Sequence, residues 1–184
     1  MAILLPVFIC ASLASIAQSI MKKENSVMVG GAPMLPSRTI VDNAMNSKDH
    51  TTLVAAVKAA GLVETLKGKG PFTVFAPTNA AFSKLAPGTV DNLLKPENLS
   101  TLQAVLNYHV VSGKLDSMEL MKWIKKGKGT AELTTVQGGK IWIMSKNKKL
   151  WLKDQKGGMA EITISDVYQS NGVIHVIDTV LMPK

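Results

Sequence analysis

Histidine is the side chain most able to move a proton near neutral pH or to ligate a metal, and this 184-residue chain has three: His50, His109 and His175. They stand about sixty residues apart, without the His-x-x-x-His or Cys-x-x-Cys spacing that local metal sites use, so neither a metal nor a cofactor is expected. His109 follows Tyr108 and precedes Val110-Val111, a setting in which internal hydrogen bonds would hold the ring. His175 alternates with Val173 and Ile177, and Asp178 three positions on either orients a histidine or caps the exit from a strand, the simpler option. No Gly-x-Ser-x-Gly is present, the only cysteine is Cys10, and a triad of scattered serine, His109 and Asp178 has no support, so an enzyme is not expected. Gly68-Lys-Gly70 and Gly127-Lys-Gly129 do not complete a phosphate-binding loop and read as turns.

Charge is the stronger feature. The chain carries a formal net charge of +8, and all but Arg38 of its 21 basic residues are lysine. Between residues 122 and 156 there are ten lysines against two acids, Glu132 and Asp154, while the rest of the chain is balanced. A patch of one sign concentrates oppositely charged partners; the plainer alternative is a solvated surface that maintains solubility. Lys146, Lys148 and Lys149, with Trp151 beside them to stack on a sugar ring, are the candidate contacts for an anionic polysaccharide. Nucleic acid is not expected, because the basic residues are lysine and no aromatic-studded ribonucleoprotein motif occurs.

Positions 1–17 hold an uncharged apolar run ending in small residues, with Ser15 and Ala17 before a cut near Gln18, and read as a secretory signal. Cleavage would remove Cys10 and leave no thiol or disulfide and no stable membrane insertion; an uncleaved anchor is the alternative. Positions 18–36, with Gly30, Gly31, Pro33 and Pro36, read as a flexible linker, and 37–184 as a single domain.

Apolar residues at three- and four-residue spacings from Thr39 to Leu66 predict two helices broken near Asp49, with Asp49 or Thr51 as cap and Gly61 as terminator. Phe72 to Phe75 form a buried strand between Pro71 and Pro77; Thr78 or Asn79 caps a short helix through Leu85, and helices follow over 100–108 and 117–125. The period then changes to two. Ile141 and Ile143, then Leu150 and Leu152, predict a hairpin with its turn over 145–149. Ile162 and Ile164 mark another strand, and Val173 to Ile177 the last, after an Asn171-Gly172 turn. A helical first half and strand-rich second half give an α+β fold with local strand pairing.

Three segments together resemble the fasciclin (FAS1) family: Gly70-Pro-Phe-Thr-Val-Phe-Ala-Pro-Thr-Asn-Ala-Ala-Phe82, Asn107-Tyr108-His109-Val110-Val111, and Ser170-Asn-Gly-Val-Ile-His-Val-Ile-Asp-Thr-Val-Leu-Met-Pro183. The resemblance implies a wedge of two small β-sheets packed with several helices, the first and last segments being neighbouring strands. It also implies a secreted or surface-associated cell-adhesion module, periplasmic or at the cell surface if bacterial, like small free-standing bacterial members such as mycobacterial antigens. The implied partner is a cell-surface or extracellular-matrix protein, to which the lysine-rich window adds an anionic polysaccharide, bound by a monomer. By the same resemblance Tyr108 and His109 are the pair that contacts a receptor in animal members. Asn79 stands where many members have aspartate. Alternative roles are a small-molecule carrier or an uncharacterised enzyme with a pocket between helices and sheet, or self-association through hairpin edges.

Overall fold

The computed structural model describes residues 26–184, so the secretory signal expected over 1–17, Cys10 and the first part of the linker lie outside the described residues. The rest of that linker is not one. Val27–Val29 (β1) and Ala32–Met34 (β2) pair antiparallel around Gly30-Gly31, both glycines at positive φ, and Val29 and Met34 are buried in the core. Three-residue strands are too short to show a period, which is why this hairpin reads as spacer in the sequence.

Helices then cover one side. Ile40–Ala44 (α1) is capped by Thr39, whose hydroxyl accepts from the Asp42 amide; Thr51–Ala59 (α2) and Val63–Lys67 (α3) follow. The region expected as two helices is therefore three, because Gly61, at φ +69, ends α2 before Val63 starts the next turn. Asn79–Ser83 (α4) starts at Thr78, which accepts from the Ala81 amide, and Thr89–Leu93 (α5) leads to Leu99–Tyr108 (α6). Ser117–Lys126 (α7) is capped by the Asp116 carboxylate and buries Leu120 and Ile124.

The remaining strands are Phe72–Pro77 (β3), Val110–Ser112 (β4), Thr130–Thr134 (β5), Lys140–Lys146 (β6), Lys149–Lys153 (β7), Met159–Gln169 (β8) and Gly172–Ile177 (β9). They form one continuous order, β4-β3-β9-β8-β7-β6-β5. β8 has 11 residues and two register shifts, between Ile162 and Ile164 and between Ile164 and Val167, and Asp166 there takes a positive φ of 61°. Such irregularities bend a strand, so β8 serves both the β4-β3-β9 half and the β7-β6-β5 half, the two sheets of a wedge. A single antiparallel bridge between Val111 and Thr135 brings the outer edges together, so the wedge approaches a barrel.

β3 and β9, the two boxes of the resemblance, are neighbours and pair in parallel from Phe72–Gly172 to Pro77–Ile177. This parallel pairing across the chain is the neighbouring of the two boxes that the resemblance implies, and it adds to the local pairing expected from the strand pattern. Its start requires glycine at 172, where a Cβ would lie 2.1 Å from the Phe72 carbonyl oxygen. The β8–β9 turn is Ser170-Asn171, one residue earlier than the pattern suggests. Asn171 is fixed by its side chain, accepting from the Ile40 amide and donating to the Leu66 and Gly68 carbonyls.

Two cores result. One lies between α1, α2, α3 and α6 and the β3–β9 face, around Ile40, Leu53, Val74, Leu106 and Ile174. The other fills the β5–β9 wedge beneath α7, around Phe75, Tyr108, Leu120, Ile143 and Leu152.

Candidate functional site

All three histidines lie in the interior. His109 caps the end of α6 and is 3% exposed; its Nδ1 donates to the Val105 carbonyl at 2.8 Å and its Nε2 accepts from the Leu181 amide at 3.0 Å. Burial pushes its pKa down to about 4, so the ring is neutral at physiological pH. Tyr108 is 0% exposed, donates to the Lys140 carbonyl at 2.5 Å and accepts from the Gln155 amide at 3.1 Å. The expectation that Tyr108 and His109 touch a partner is thereby corrected: their polar atoms are engaged inside the wedge, joining α6 to the β7–β8 turn and to the chain's end. His175 donates through Nε2 to the Leu115 carbonyl, and burial lowers its pKa as well. Asp178 accepts from the Glu161 amide and pairs with Lys84, which fits its reading as a cap on the strand exit.

Asn79 does work that aspartate could not. Its Oδ1 accepts from the Thr52 amide at the start of α2, while its amide nitrogen donates to the Lys48 carbonyl at 2.8 Å. Asn79→Asp would keep the acceptor and set an anion against that carbonyl. The expected cost is about 1–2 kcal/mol, read from the denaturant midpoint; a midpoint equal to the parent's would show that the Lys48 bond contributes nothing.

The lysine-rich window folds into α7 and the β5–β7 strands. Its hairpin turns on Asn147 and Lys148, both at positive φ (53° and 62°), a two-residue turn whose twist matches the strands; the turn expected over 145–149 narrows to these two. Alternation sends Ile141, Ile143 and Leu152 into the core and Trp142, Met144, Lys146, Lys149, Trp151 and Lys153 outward. Across the strands Trp142 faces Lys153, Met144 faces Trp151, and Lys146 faces Lys149.

Ion pairing divides the lysines. Lys140 pairs with Glu132 at 3.0 Å, Lys149 with Glu161 at 2.6 Å and Lys122 with Glu119 at 3.0 Å. Lys146, Lys148, Lys153 and Lys156 join no salt bridge among the described residues. Asp154, the other acid of the window, is buried and turned inward to backbone amides. The structure thus brings Lys146, Lys148, Lys149 and Trp151 onto one hairpin, with Lys148 at the turn and Trp151 partly buried two residues beyond Lys149.

Beneath this tip lies a half-open groove of about 540 Å³ between α7, the hairpin and β8. Ser145, Lys148 and Lys149 line it from the hairpin, Ser117 and Met121 from α7, and Ile162 and Ser165 from β8. Nothing in the sequence announces these serines, which come from three elements and meet only through sheet register. The space between helices and sheet that a carrier would need is a nearly wholly apolar cavity of about 40 Å³, edged by Val54, Lys58 and Val63, far below the ~300–1,000 Å³ of ligand pockets. Among the described residues, no three His, Cys, Asp or Glu side chains group to hold a metal ion, and no helix is long and apolar enough to cross a membrane.

Comparison with known proteins accords with this architecture. The profile of the fasciclin domain matches residues 48–183. Protein sll1483 of Synechocystis sp. is 43% identical over 160 residues, which cover 87% of this chain and 82% of that protein. Immunogenic protein MPB70 of Mycobacterium bovis is 37% identical over 145 residues, covering 76% of this chain and 66% of that one. Among solved structures, the FAS1 domain pair of the insect cell adhesion molecule fasciclin I superposes with a TM-score of 0.72 at 19% identity, over 80% of this chain and 52% of that one; at that identity the likeness concerns the fold.

Proposed function

The chain belongs to the fasciclin domain family, and from that premise we propose that it is a secreted or surface-associated adhesion module which attaches to an anionic polysaccharide of a cell surface or matrix through the β6–β7 hairpin. One observation carries the reading. Lys146 and Lys149 face each other across the last pair of the ladder, with Lys148 in the turn between them. Like charges placed directly opposite destabilise a hairpin, and only Lys149 has an acidic partner there. A bound polyanion would relieve this repulsion, and Trp151 and Met144 on the same face add apolar surface for sugar rings. The module acts by binding and not by catalysis: the ring nitrogens of His109 and His175 serve internal bonds, and a surface built from lysines favours attachment over fine selectivity.

Changing Lys146, Lys148 and Lys149 together to alanine should weaken binding to an acidic polysaccharide on the order of tenfold, about 1.4 kcal/mol. The salt dependence should flatten too, since fewer counterions are exchanged on binding. Surface plasmon resonance across a salt series checks both. A triple variant that binds with the parent's affinity and salt slope would overturn the assignment.

A further inference from the structure

Resting on the reading of the hairpin as a polyanion-binding surface, we propose that the groove between α7 and the β6–β7 tip is a subsite for one acidic pyranose residue of the bound chain. The groove exists because the sheet outruns its helix. On the inward face of the hairpin Ile141, Ile143 and Leu152 are covered by the core, whereas Ser145 and its cross-strand partner Leu150 emerge beyond the cover, exposed and half-buried respectively. β8 supplies Ile162 and, after its register shift, Ser165.

The lining suits a charged sugar better than a simple anion. Met121, Leu150 and Ile162 give one apolar side, the complement of the C–H face of a pyranose. The Ser145 hydroxyl makes no hydrogen bond among the described residues, and the Ser165 hydroxyl has only a 3.5 Å contact with Asp166, so both are free for ring hydroxyls. The Ser117 hydroxyl already donates to Asp166. Lys148, in no ion pair, stands at the rim for the acid group. A volume of about 540 Å³ falls within the range of small-molecule sites and admits a sugar residue, and the open side lets a polymer continue over the hairpin. An inorganic anion would leave the apolar side unused.

Calorimetric titration tests this with four probes: a short galacturonate oligomer, a sulfated dextran oligomer, a neutral dextran oligomer, and oligoglutamate matched in charge. The subsite predicts that a charged sugar binds at least tenfold tighter than oligoglutamate and that neutral dextran does not bind; whichever acidic sugar is tighter identifies the acid group. Ser145→Phe fills the groove without altering charge, and should bring the acidic sugar down to the level of oligoglutamate while leaving oligoglutamate unchanged. Equal affinity for sugar and peptide, or a Ser145→Phe variant that lowers both alike or neither, overturns the subsite and leaves the lysine tip standing. Failure of every anionic probe removes both. Amide shifts of the unmodified protein supply a check independent of the variant: perturbation at Ser145, Leu150 and Ser165 on adding galacturonate supports the groove, and perturbation confined to Trp151 and Lys153 overturns it.

Discussion

Asp154→Ala should lower the unfolding free energy by about 3–5 kcal/mol, a large share of the roughly 5–15 kcal/mol that a domain of this kind possesses. Asp154 is buried, and its carboxylate accepts three backbone N–H bonds: from Lys156 at 2.9 Å and Gly158 at 2.7 Å through Oδ1, and from Met182 at 3.0 Å through Oδ2. The first two shape the β7–β8 turn; the third ties the end of the chain to it. Hydrogen bonds to a charged acceptor contribute about 1.5–3 kcal/mol each, and truncation leaves their donors without that partner. Gly158 is part of the arrangement, since a Cβ there would sit 2.7 Å from Asp154 Oδ2.

Asp154→Asn should fall between parent and alanine variant, because one oxygen is retained while an NH2 now confronts an amide donor. Thermal unfolding checks the order; at about 2–4 °C per kcal/mol, alanine should lower Tm by roughly 10 °C. A loss under about 1 kcal/mol would mean that water replaces the carboxylate freely and that the turn holds itself. The consequence reaches the proposed binding surface, because β7 carries Lys149 and Trp151 and ends at Lys153, next to Asp154.

How much of this could be read from the chain depends on whether a feature is local. The α7 stripe of Leu120 and Ile124 and the alternation Ile141, Ile143, Leu150, Leu152 are written in consecutive residues, and those elements fold as the pattern says. The β1–β2 hairpin carries a Gly-Gly turn, yet its strands of three residues, one holding Pro33, leave no period to detect. Tyr108 and His109 are visible as a motif, but side-chain direction at the end of α6 is set by contacts with Leu181 and Gln155, some 70 and 47 residues away, which no local rule supplies. The same holds for the charges. The sequence shows ten lysines in a row of 35 residues; that Lys149 is neutralised by Glu161 while Lys146 and Lys148 are not follows from the β7–β8 register. Serines 145 and 165 carry no motif at all, since a free hydroxyl becomes a candidate contact only when a groove forms around it.

Mild acid should destabilise the domain well before its carboxylates are neutralised. A buried histidine that stays neutral has a lower pKa folded than unfolded, so as pH falls below about 6.5 the unfolded chain takes up the proton first and stability drops. For His109 the drop continues until the folded ring also titrates, at about 4. A gap of about 2.5 units at 1.36 kcal/mol per unit amounts to about 3 kcal/mol lost between pH 7 and pH 4. His50 and His175 are lowered by burial too and add in the same direction. Urea midpoints at a series of pH values from 7.5 to 4 should therefore slope steadily downward. Carboxylates held low by their partners, Asp42 beside Thr39 and Lys67 and Asp178 beside Lys84, lose stability only nearer their ordinary range around 3.8, so their effect comes later in the titration. His109→Gln separates the contributions. The variant should be less stable than the parent at pH 7.5, having given up the bonds to Val105 and Leu181, but its slope between pH 6.5 and 4 should be shallower because one buried titrating group is gone. Parallel slopes would show that His109 is not what couples folding to pH, and would place the acid sensitivity on His50 and His175 alone. Any loss of polyanion binding that tracks the unfolding curve reports the core, and binding that persists to pH 5 reports the surface.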